Sequence, residues 1–162
     1  MARLPARDAQ AGRELPDATL FATIAARPDI AQAAAAHLRA ILEGGSVPRA
    51  TKALCAAMVS AVNFCQPALV AYRREARQAG VSTQQFNALW DFARSDLFGQ
   101  GDKAALAAAV ALSREARGLP EAVWDQLRAA FDDAQIVEVL ALIGMINGLN
   151  RISNALQTPI TR

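Results

Sequence analysis

The sequence predicts an all-α fold in which one helical bundle accounts for the whole chain. Apolar residues make up 53% of the 162 residues and charged residues 20%, so a folded core is expected and general disorder is not. Proline, glycine and capping residues divide the chain into segments of helical length. The sequence contains neither the sustained alternation nor the turns that indicate strands. Because the length is typical of one domain, we expect residues 1–162 to form a single domain.

The first half of the chain is predicted to contain an extended arm and four helices. Residues 1–16 carry two prolines and little periodicity, which indicates an arm that packs on the body or on a neighbour. Pro28, Pro48 and Pro67 each suit the first turn of a helix, where a missing N–H costs nothing. The third helix is apolar nearly all round, as expected of a helix buried on every side. The predicted helices span residues 17–26, 28–43, 48–62 and 67–79.

The second half is predicted to contain four more helices. Ser82 with Gln85, and Asp132 with Gln135, are typical of capping boxes at helix N-termini. Asp102 is expected to cap an alanine-rich helix, and a proline opens the helix that follows it. The predicted helices span residues 82–94, 102–115, 120–131 and 133–156.

The last predicted helix carries a face of small residues and two asparagines. Interior glycines cost about 1 kcal/mol each relative to alanine, a cost that close helix–helix approach would offset. The asparagines are interpreted as buried hydrogen-bonding groups that fix helix packing, with ligand contact as the alternative. The small residues are Ala141, Gly144, Gly148 and Ala155, and the asparagines are Asn147 and Asn150.

Charge and hydropathy exclude several classes of partner. A net charge of +2 is too weak to indicate nucleic acid or an anionic membrane, and the arginines around Glu75 are interpreted as a solvated helix face. The most apolar run, residues 136–149, is shorter than the roughly 20 residues of a membrane span. Two cysteines without zinc-type spacing, and an N-terminus without an apolar leader, favour the reducing cytoplasm. No metal or cofactor is predicted.

One segment resembles the core motif of a known family. Residues 51–80 read TKALCAAMVSAVNFCQPALVAYRREARQAG. This segment resembles the carboxymuconolactone decarboxylase family, which includes the alkyl hydroperoxide reductase D proteins. Their core motif places a glutamate one helix before an Asn-x-Cys-x-x-Cys-x-x-x-His element. Residues 27–29, 42–46, 103–107, 131–138 and 147–151 extend the resemblance, which implies an all-α bundle and a homo-oligomer, commonly a trimer or a hexamer.

The motif positions of this chain match the family pattern only in part. Asn63 keeps the asparagine and Cys65 matches the first cysteine. Ala68 stands where the second cysteine is expected, and Tyr72 where the histidine is expected. Ala53, twelve residues before Cys65, stands where the glutamate is expected. The frame of the motif is therefore intact, whereas three of its four chemical groups are lost.

The loss of these groups predicts that two-cysteine alkylhydroperoxidase activity is absent. A dithiol relay needs a second thiol within reach. Cys55 lies ten residues before Cys65, about 15 Å away along a continuous helix, whereas the Cα atoms of a disulfide lie within about 7 Å. The single histidine, His37, belongs to another predicted helix and reaches a pocket only through tertiary folding.

Cys65 and Tyr72 remain the candidate catalytic residues. A helix start at Pro67 would lower the pKa of Cys65, but burial would raise it by more, leaving a neutral thiol; a purely structural Cys65 is the alternative. The Tyr72 hydroxyl could donate a hydrogen bond to a carbonyl or oxyanion, or could cap the core in contact with water. Asn63, His37, Asn147 and Asn150 complete the candidate pocket.

Three functions from different classes remain open at this point. The first is a non-redox small-molecule lyase or isomerase, as the decarboxylase branch of the family implies. The second is a catalytically silent scaffold or ligand-binding oligomer. The third is a weak one-cysteine, peroxiredoxin-type peroxidase that uses Cys65 and an external thiol.

Overall fold

The computed structural model describes residues 2–8, 10–115 and 117–160. Over these residues the regular structure consists of eight α-helices and one short 3-10 helix, with no strand, which confirms the all-α prediction. The helices are α1 (Ala18–Ile24), α2 (Pro28–Glu43), α3 (Arg49–Val62), α4 (Gln66–Gln78), α5 (Thr83–Asn87), α6 (Gln100–Arg114), α7 (Glu121–Ala130) and α8 (Asp133–Leu156), and the 3-10 helix is Leu89–Asp91.

Helix α3 is the centre of the bundle. Every residue from Thr51 to Ser60 is buried, so the helix has no solvent face, as its sequence predicts. It packs against α4, α6 and α8, and its most extensive contact is with α4. Side chains on α3 therefore occupy the interior, and the corner that joins α3 to α4 determines where the residues of the motif lie.

That corner is a helix C-terminus of the Schellman type, with Phe64 in the left-handed conformation at φ +53°. The N–H of Phe64 donates to the carbonyl of Ala61 at 3.1 Å, and the N–H of Cys65 donates to that of Ser60 at 2.9 Å. The corner needs the left-handed conformation, which glycine adopts without strain and phenylalanine does not. The phenyl ring is 83% exposed, so burial does not offset this strain.

A buried ion pair ties the end of α2 to α3 and α8. The ammonium group of Lys52 donates to the carbonyl oxygens of Ile41 at 2.8 Å and Gly44 at 2.6 Å, and it pairs with Glu138. Lys52 thus satisfies carbonyls that the end of a helix leaves without partners. In the sequence Glu138 is only an interruption of an apolar run, whereas in the structure it accepts hydrogen bonds from the backbone N–H groups of Ser46 at 3.1 Å and Val47 at 3.3 Å.

Helix α8 is long and apolar enough to cross a membrane, but half of its most apolar stretch is buried inside the bundle. It packs against α2, α3, α6 and α7, as expected of the core helix of a globular bundle. The capping box at its start is confirmed, because Asp132 and Gln135 exchange hydrogen bonds at 2.8 and 3.1 Å. The prediction of close helix contact at Gly144 and Gly148 is not met within one chain: both glycines are exposed, and nothing lies within 4 Å of an added Cβ.

The N-terminal arm packs on the body of the same chain. The backbone N–H groups of Arg3 and Arg7 donate to the carbonyls of Leu156 and Ala22, both at 2.9 Å. Leu15 is buried in the core. The arm thereby carries the start of α1 onto the N-terminal part of α4.

Two helix predictions are wrong in detail. The helix after Ser82 begins as predicted, because the Ser82 hydroxyl accepts from the N–H of Gln85 at 3.0 Å, but it ends at Asn87 and gives way to the 3-10 helix. The side-chain amide of Gln85 does not close the capping box and donates to the Leu97 carbonyl at 2.9 Å. Asp102 is not the cap of α6 but lies in its first turn. There its carboxylate accepts from the N–H of Gly99 at 3.2 Å and from the hydroxyl of Thr51 at 2.6 Å.

Candidate functional site

Cys65 is the N-cap residue of α4, directly after the strained corner, and its side chain is fully buried. Burial raises the pKa of its thiol by more than the N–H of Ala68 and the hydroxyl of Ser153 lower it. The carboxylate of Asp17 adds to the rise, so the pKa lies above its ordinary value of 9.0. Cys65 is therefore a neutral thiol at pH 7, in accordance with the expectation that burial outweighs the helix N-terminus.

The structure places no second thiol beside Cys65. Ala68 and Ala53, at the two lost motif positions, are both packed in the core. Cys55 is buried on α3, where its thiol faces the carbonyl of Ala105 at 3.8 Å, and burial raises its pKa to about 12. Both cysteines are free. The continuous α3 separates them, so the geometry offers no dithiol relay.

Tyr72 lies on the buried face of α4 that it shares with Ala68. Only 2% of the residue is exposed, so its ring lies inside the core. Burial raises the pKa of the phenol, and the carboxylates of Asp17 and Glu75 raise it further. Tyr72 is therefore protonated at neutral pH, and its hydroxyl can act as a hydrogen-bond donor.

The asparagines form a polar network between α3 and α8. The side-chain amide of Asn63 donates to the carbonyl oxygen of the Asn147 side chain at 2.7 Å, and Asn147 donates to the hydroxyl of Ser113 at 3.2 Å. Asn150 donates to the hydroxyl of Ser60 at 3.3 Å. Asn147 and Asn150 are both buried, so hydrogen bonding that fixes helix packing describes them better than ligand contact.

Asp17 is the functional candidate that sequence reasoning misses. It is the N-cap of α1, it is only 7% exposed, and its Oδ2 makes no hydrogen bond to any described residue. Burial raises the pKa of its carboxyl group, although the N–H of Leu20 and the guanidinium of Arg74 oppose the rise. An aspartate before a helix is ordinary in any sequence, so only its burial beside Cys65 and Tyr72 distinguishes this one.

A cavity of about 280 Å³ opens beside Asp17, between the arm and α4. Arg74 lines this cavity, so it is more than part of the solvated face that the sequence suggests. The lining comprises Arg13, Leu15, Pro16, Asp17, Ala18, Thr19, Pro67, Ala71 and Arg74. Cys65 and Tyr72 do not line the cavity, but Asp17 does and raises the pKa of both side chains, so both lie within electrostatic reach of its wall.

One predicted candidate does not join this cluster. His37 is exposed on α2, whereas Cys65 and Tyr72 are buried. Ser153 belongs to the cluster although the sequence does not single it out. It is buried on α8, and its hydroxyl lowers the pKa of the Cys65 thiol. The hydroxyl makes no hydrogen bond of regular geometry with the described residues. No three His, Cys, Asp or Glu side chains among the described residues meet as a metal site requires.

The family model described as "Carboxymuconolactone decarboxylase family" matches residues 28–111, which include the whole of α2, α3 and α4. Among curated proteins, the chain is 28% identical over 112 residues to the uncharacterized protein YdfG of Bacillus subtilis (strain 168). That alignment covers 68% of this chain and 76% of YdfG.

Solved structures share the fold. A variant of the debrominase Bmp8 in complex with 2,3,4-tribromopyrrole superposes with a TM-score of 0.81 at 24% identity, over 88% of this chain and 76% of that one. A protein of unknown function from Agrobacterium tumefaciens, named for a proposed role in antioxidant defence, superposes with a TM-score of 0.78 at 27% identity, over 85% of this chain and 94% of that one.

Proposed function

Because this chain belongs to the carboxymuconolactone decarboxylase family, we propose that it is a non-redox enzyme of small molecules, of the lyase or isomerase type. Its site transfers protons, whereas the dithiol chemistry of the alkyl hydroperoxide reductase D branch is lost. The reaction takes place at the cavity between the arm and α4, with Tyr72 as a hydrogen-bond donor and Cys65 as a packing neighbour.

The observation that carries this proposal is the protonation state of the buried cluster. Cys65 and Tyr72 are both held in their neutral forms by burial, and no second thiol is within reach of Cys65. A neutral thiol is a poor nucleophile toward peroxide, because the thiolate is the reactive form. A neutral phenol in a dry site stabilises negative charge that develops on a substrate oxygen.

The volume of the cavity supports a small substrate. About 280 Å³ lies just below the usual range of roughly 300–1,000 Å³ for ligand pockets, so it suits a molecule of one ring rather than a cofactor. The guanidinium groups of Arg13 and Arg74 at its wall suit a substrate that carries a carboxylate.

A catalytically silent oligomer is the second candidate, and the burial of Cys65 and Tyr72 favours it. With 0% and 2% exposure, the two residues are almost completely enclosed within one chain. A one-cysteine peroxidase is less favoured than either, because burial protects Cys65 from peroxide.

We also propose that the chain assembles in the cytoplasm as a homotrimer or homohexamer through the exposed face of α8. Gly144 and Gly148 are open there, and Val137 and Ile152 are 66% and 42% exposed. Light scattering at micromolar concentration tests the assembly, and a monomer of 17.2 kDa would refute it. Gly148→Arg should weaken the assembly, while a charge reversal at the exposed start of α7, Glu121→Lys, should not.

Turnover without a redox partner tests the enzymatic proposal. The purified protein is incubated with small lactones and 2-oxo acids that carry a carboxylate, and the products are followed by proton NMR without thiol or peroxide. We expect conversion that added dithiothreitol does not change. Turnover that depends on thiol or peroxide would replace this function with the one-cysteine alternative, and no turnover across the panel would favour the silent oligomer.

Two substitutions separate the roles of the buried residues. Cys65→Ser should leave turnover within about tenfold, a barrier change of about 1.4 kcal/mol, whereas Tyr72→Phe should reduce it by more. Trp90→Phe, at an exposed aromatic residue, is the control and should have no effect. Abolished turnover in Cys65→Ser would assign the chemistry to the thiol.

A further inference from the structure

We propose that Asp17 is the acid–base group of the cavity, exchanging protons with a small molecule bound against Pro67 and Ala71. The inference rests on the proposed non-redox function and identifies the residue that performs its chemistry. It assigns a catalytic role to the N-terminus of α1, outside the segment that matches the family model.

The burial of Asp17 exceeds what a helix cap requires. Its Oδ1 accepts from the N–H of Leu20 at 3.4 Å, a long hydrogen bond, while Oδ2 has no partner among the described residues. Asp132 caps α8 from an exposed position, with a hydrogen bond of 2.8 Å from the N–H of Gln135. A cap is therefore available at the surface, where the carboxylate stays solvated. Asp17 instead lies on the wall of a cavity and keeps one buried oxygen, Oδ2, without a partner among the described residues.

The groups that face Asp17 come from every element around it. Tyr72 and Arg74 approach from α4, Cys65 from the corner before α4, and Arg13 from the arm. Glu75 acts on the same Tyr72. The N–H of Leu20 and the guanidinium of Arg74 favour the carboxylate, but burial outweighs both, so the pKa of Asp17 is raised above 3.8. A carboxyl group with a raised pKa is better suited to giving and taking protons near neutral pH.

The proton balance of this step closes without a cofactor. The carboxyl group of Asp17 gives its proton to one atom of the bound molecule and becomes a carboxylate. The carboxylate then takes a proton from a second atom of the same molecule, the electrons of that bond stay on the molecule, and the carboxyl group is restored. The net reaction is a proton shift, which is an isomerisation. A neighbouring arginine stabilises the carboxylate between the two transfers.

Asp17→Asn tests the assignment without a substrate. Asparagine caps a helix as well as aspartate and has nearly the same shape, but it does not ionise. Because the folded pKa is raised, the stability that Asp17 contributes is fully present below pH 3.8, where the unfolded chain also binds the proton, and it is lost as the pH rises through the folded pKa. We therefore expect Asp17→Asn to raise Tm by about 2–4 °C at pH 7 and to match the wild type near pH 3. Asp132→Asn, at the exposed cap, should show no such rise.

A lowered Tm of Asp17→Asn at pH 7 would overturn the assignment, because it would mean that the charged form stabilises the fold. If Asp17→Asn does not fold, the carboxyl ¹³C resonance of Asp17 in the wild-type protein still decides the matter. A titration midpoint of this resonance above pH 3.8 supports the assignment, and a midpoint at or below pH 3.8 overturns it.

Coupling to the buried cluster provides a readout that a purely structural cap would not change. In a Cys55→Ser background, Asp17→Asn removes the carboxylate that raises the pKa of Cys65, so the alkylation midpoint of Cys65 should fall; an unchanged midpoint argues against the assignment.

With any substrate that the panel identifies, Asp17→Asn should lower kcat by about 100-fold or more, with KM within about threefold, and an unchanged kcat would overturn the assignment of Asp17. If no compound of the panel is converted but the carboxyl group of Asp17 titrates with a midpoint above 3.8, the lyase or isomerase proposal alone is refuted.

Discussion

The ion pair between Lys52 and Glu138 gives the sharpest prediction about stability. Lys52→Met keeps most of the buried side-chain volume but removes the ammonium group, leaving Glu138 largely buried and the carbonyls of Ile41 and Gly44 without a donor. Removing one partner of a buried pair typically costs about 3–5 kcal/mol. Because Glu138 keeps the N–H groups of Ser46 and Val47, we expect the lower end, about 3 kcal/mol. For a chain of this size, that corresponds to a fall in Tm of about 6–12 °C.

Urea unfolding and calorimetry measure this loss, and two variants control it. Arg49 lies on the same helix as Lys52, and its side chain is 61% exposed. Arg49→Met breaks its ion pair with Glu75 of α4 and should cost at most about 1 kcal/mol. Lys52→Met with Glu138→Gln removes the unpaired charge and should recover part of the loss. If Lys52→Met costs no more than Arg49→Met, the pair does not hold the end of α2 in place and the reasoning is refuted.

Three further predictions follow from the corner between α3 and α4. Mild peroxide should form no intrachain disulfide, because Ala68 stands where the second thiol is needed; a mass loss of two hydrogens in a folded monomeric species would contradict this. In a Cys55→Ser variant the alkylation rate of Cys65 should have its pH midpoint above 9.0, and a midpoint below pH 7 would show a reactive thiolate. Phe64→Gly should stabilise the fold by about 0.5–1 kcal/mol in urea unfolding, since left-handed strain of about 1–2 kcal/mol exceeds the entropic cost of glycine, whereas Phe64→Ala should show no gain.

Local patterns in the sequence predict most of the helices because their determinants lie within a few residues. Pro28 and the capping box at Asp132 place the starts of α2 and α8 correctly. The same reasoning is half right at Gln85, whose N–H donates to the Ser82 cap while its side-chain amide donates to Leu97, twelve residues away, instead of closing the box. It is wrong at Asp102, whose hydroxyl partner Thr51 lies on another helix.

The motif determines the loss of the thiol relay from the sequence alone, since the identities at positions 53, 68 and 72 are sufficient for that conclusion. Burial of Cys65 and Tyr72 could be expected but not decided, because an amphipathic residue such as tyrosine is as often found at the edge of a core as within it. The hydrogen-bonding role of Asn147 and Asn150 could likewise be stated only as one of two alternatives.

The sequence by itself therefore determined the fold class, the family and the absence of the second thiol, the histidine and the glutamate, because each depends on residue type and spacing along one segment. Only the tertiary structure decided which groups lie beside Cys65. Asp17 lies 48 positions before Cys65, Ser153 lies 88 positions after it, and neither has a neighbour in the sequence that marks it. Their burial against one thiol arises from the packing of the arm, α4 and α8 around it, and burial, rather than residue type, shifts the pKa of a carboxyl group and makes it available for proton transfer.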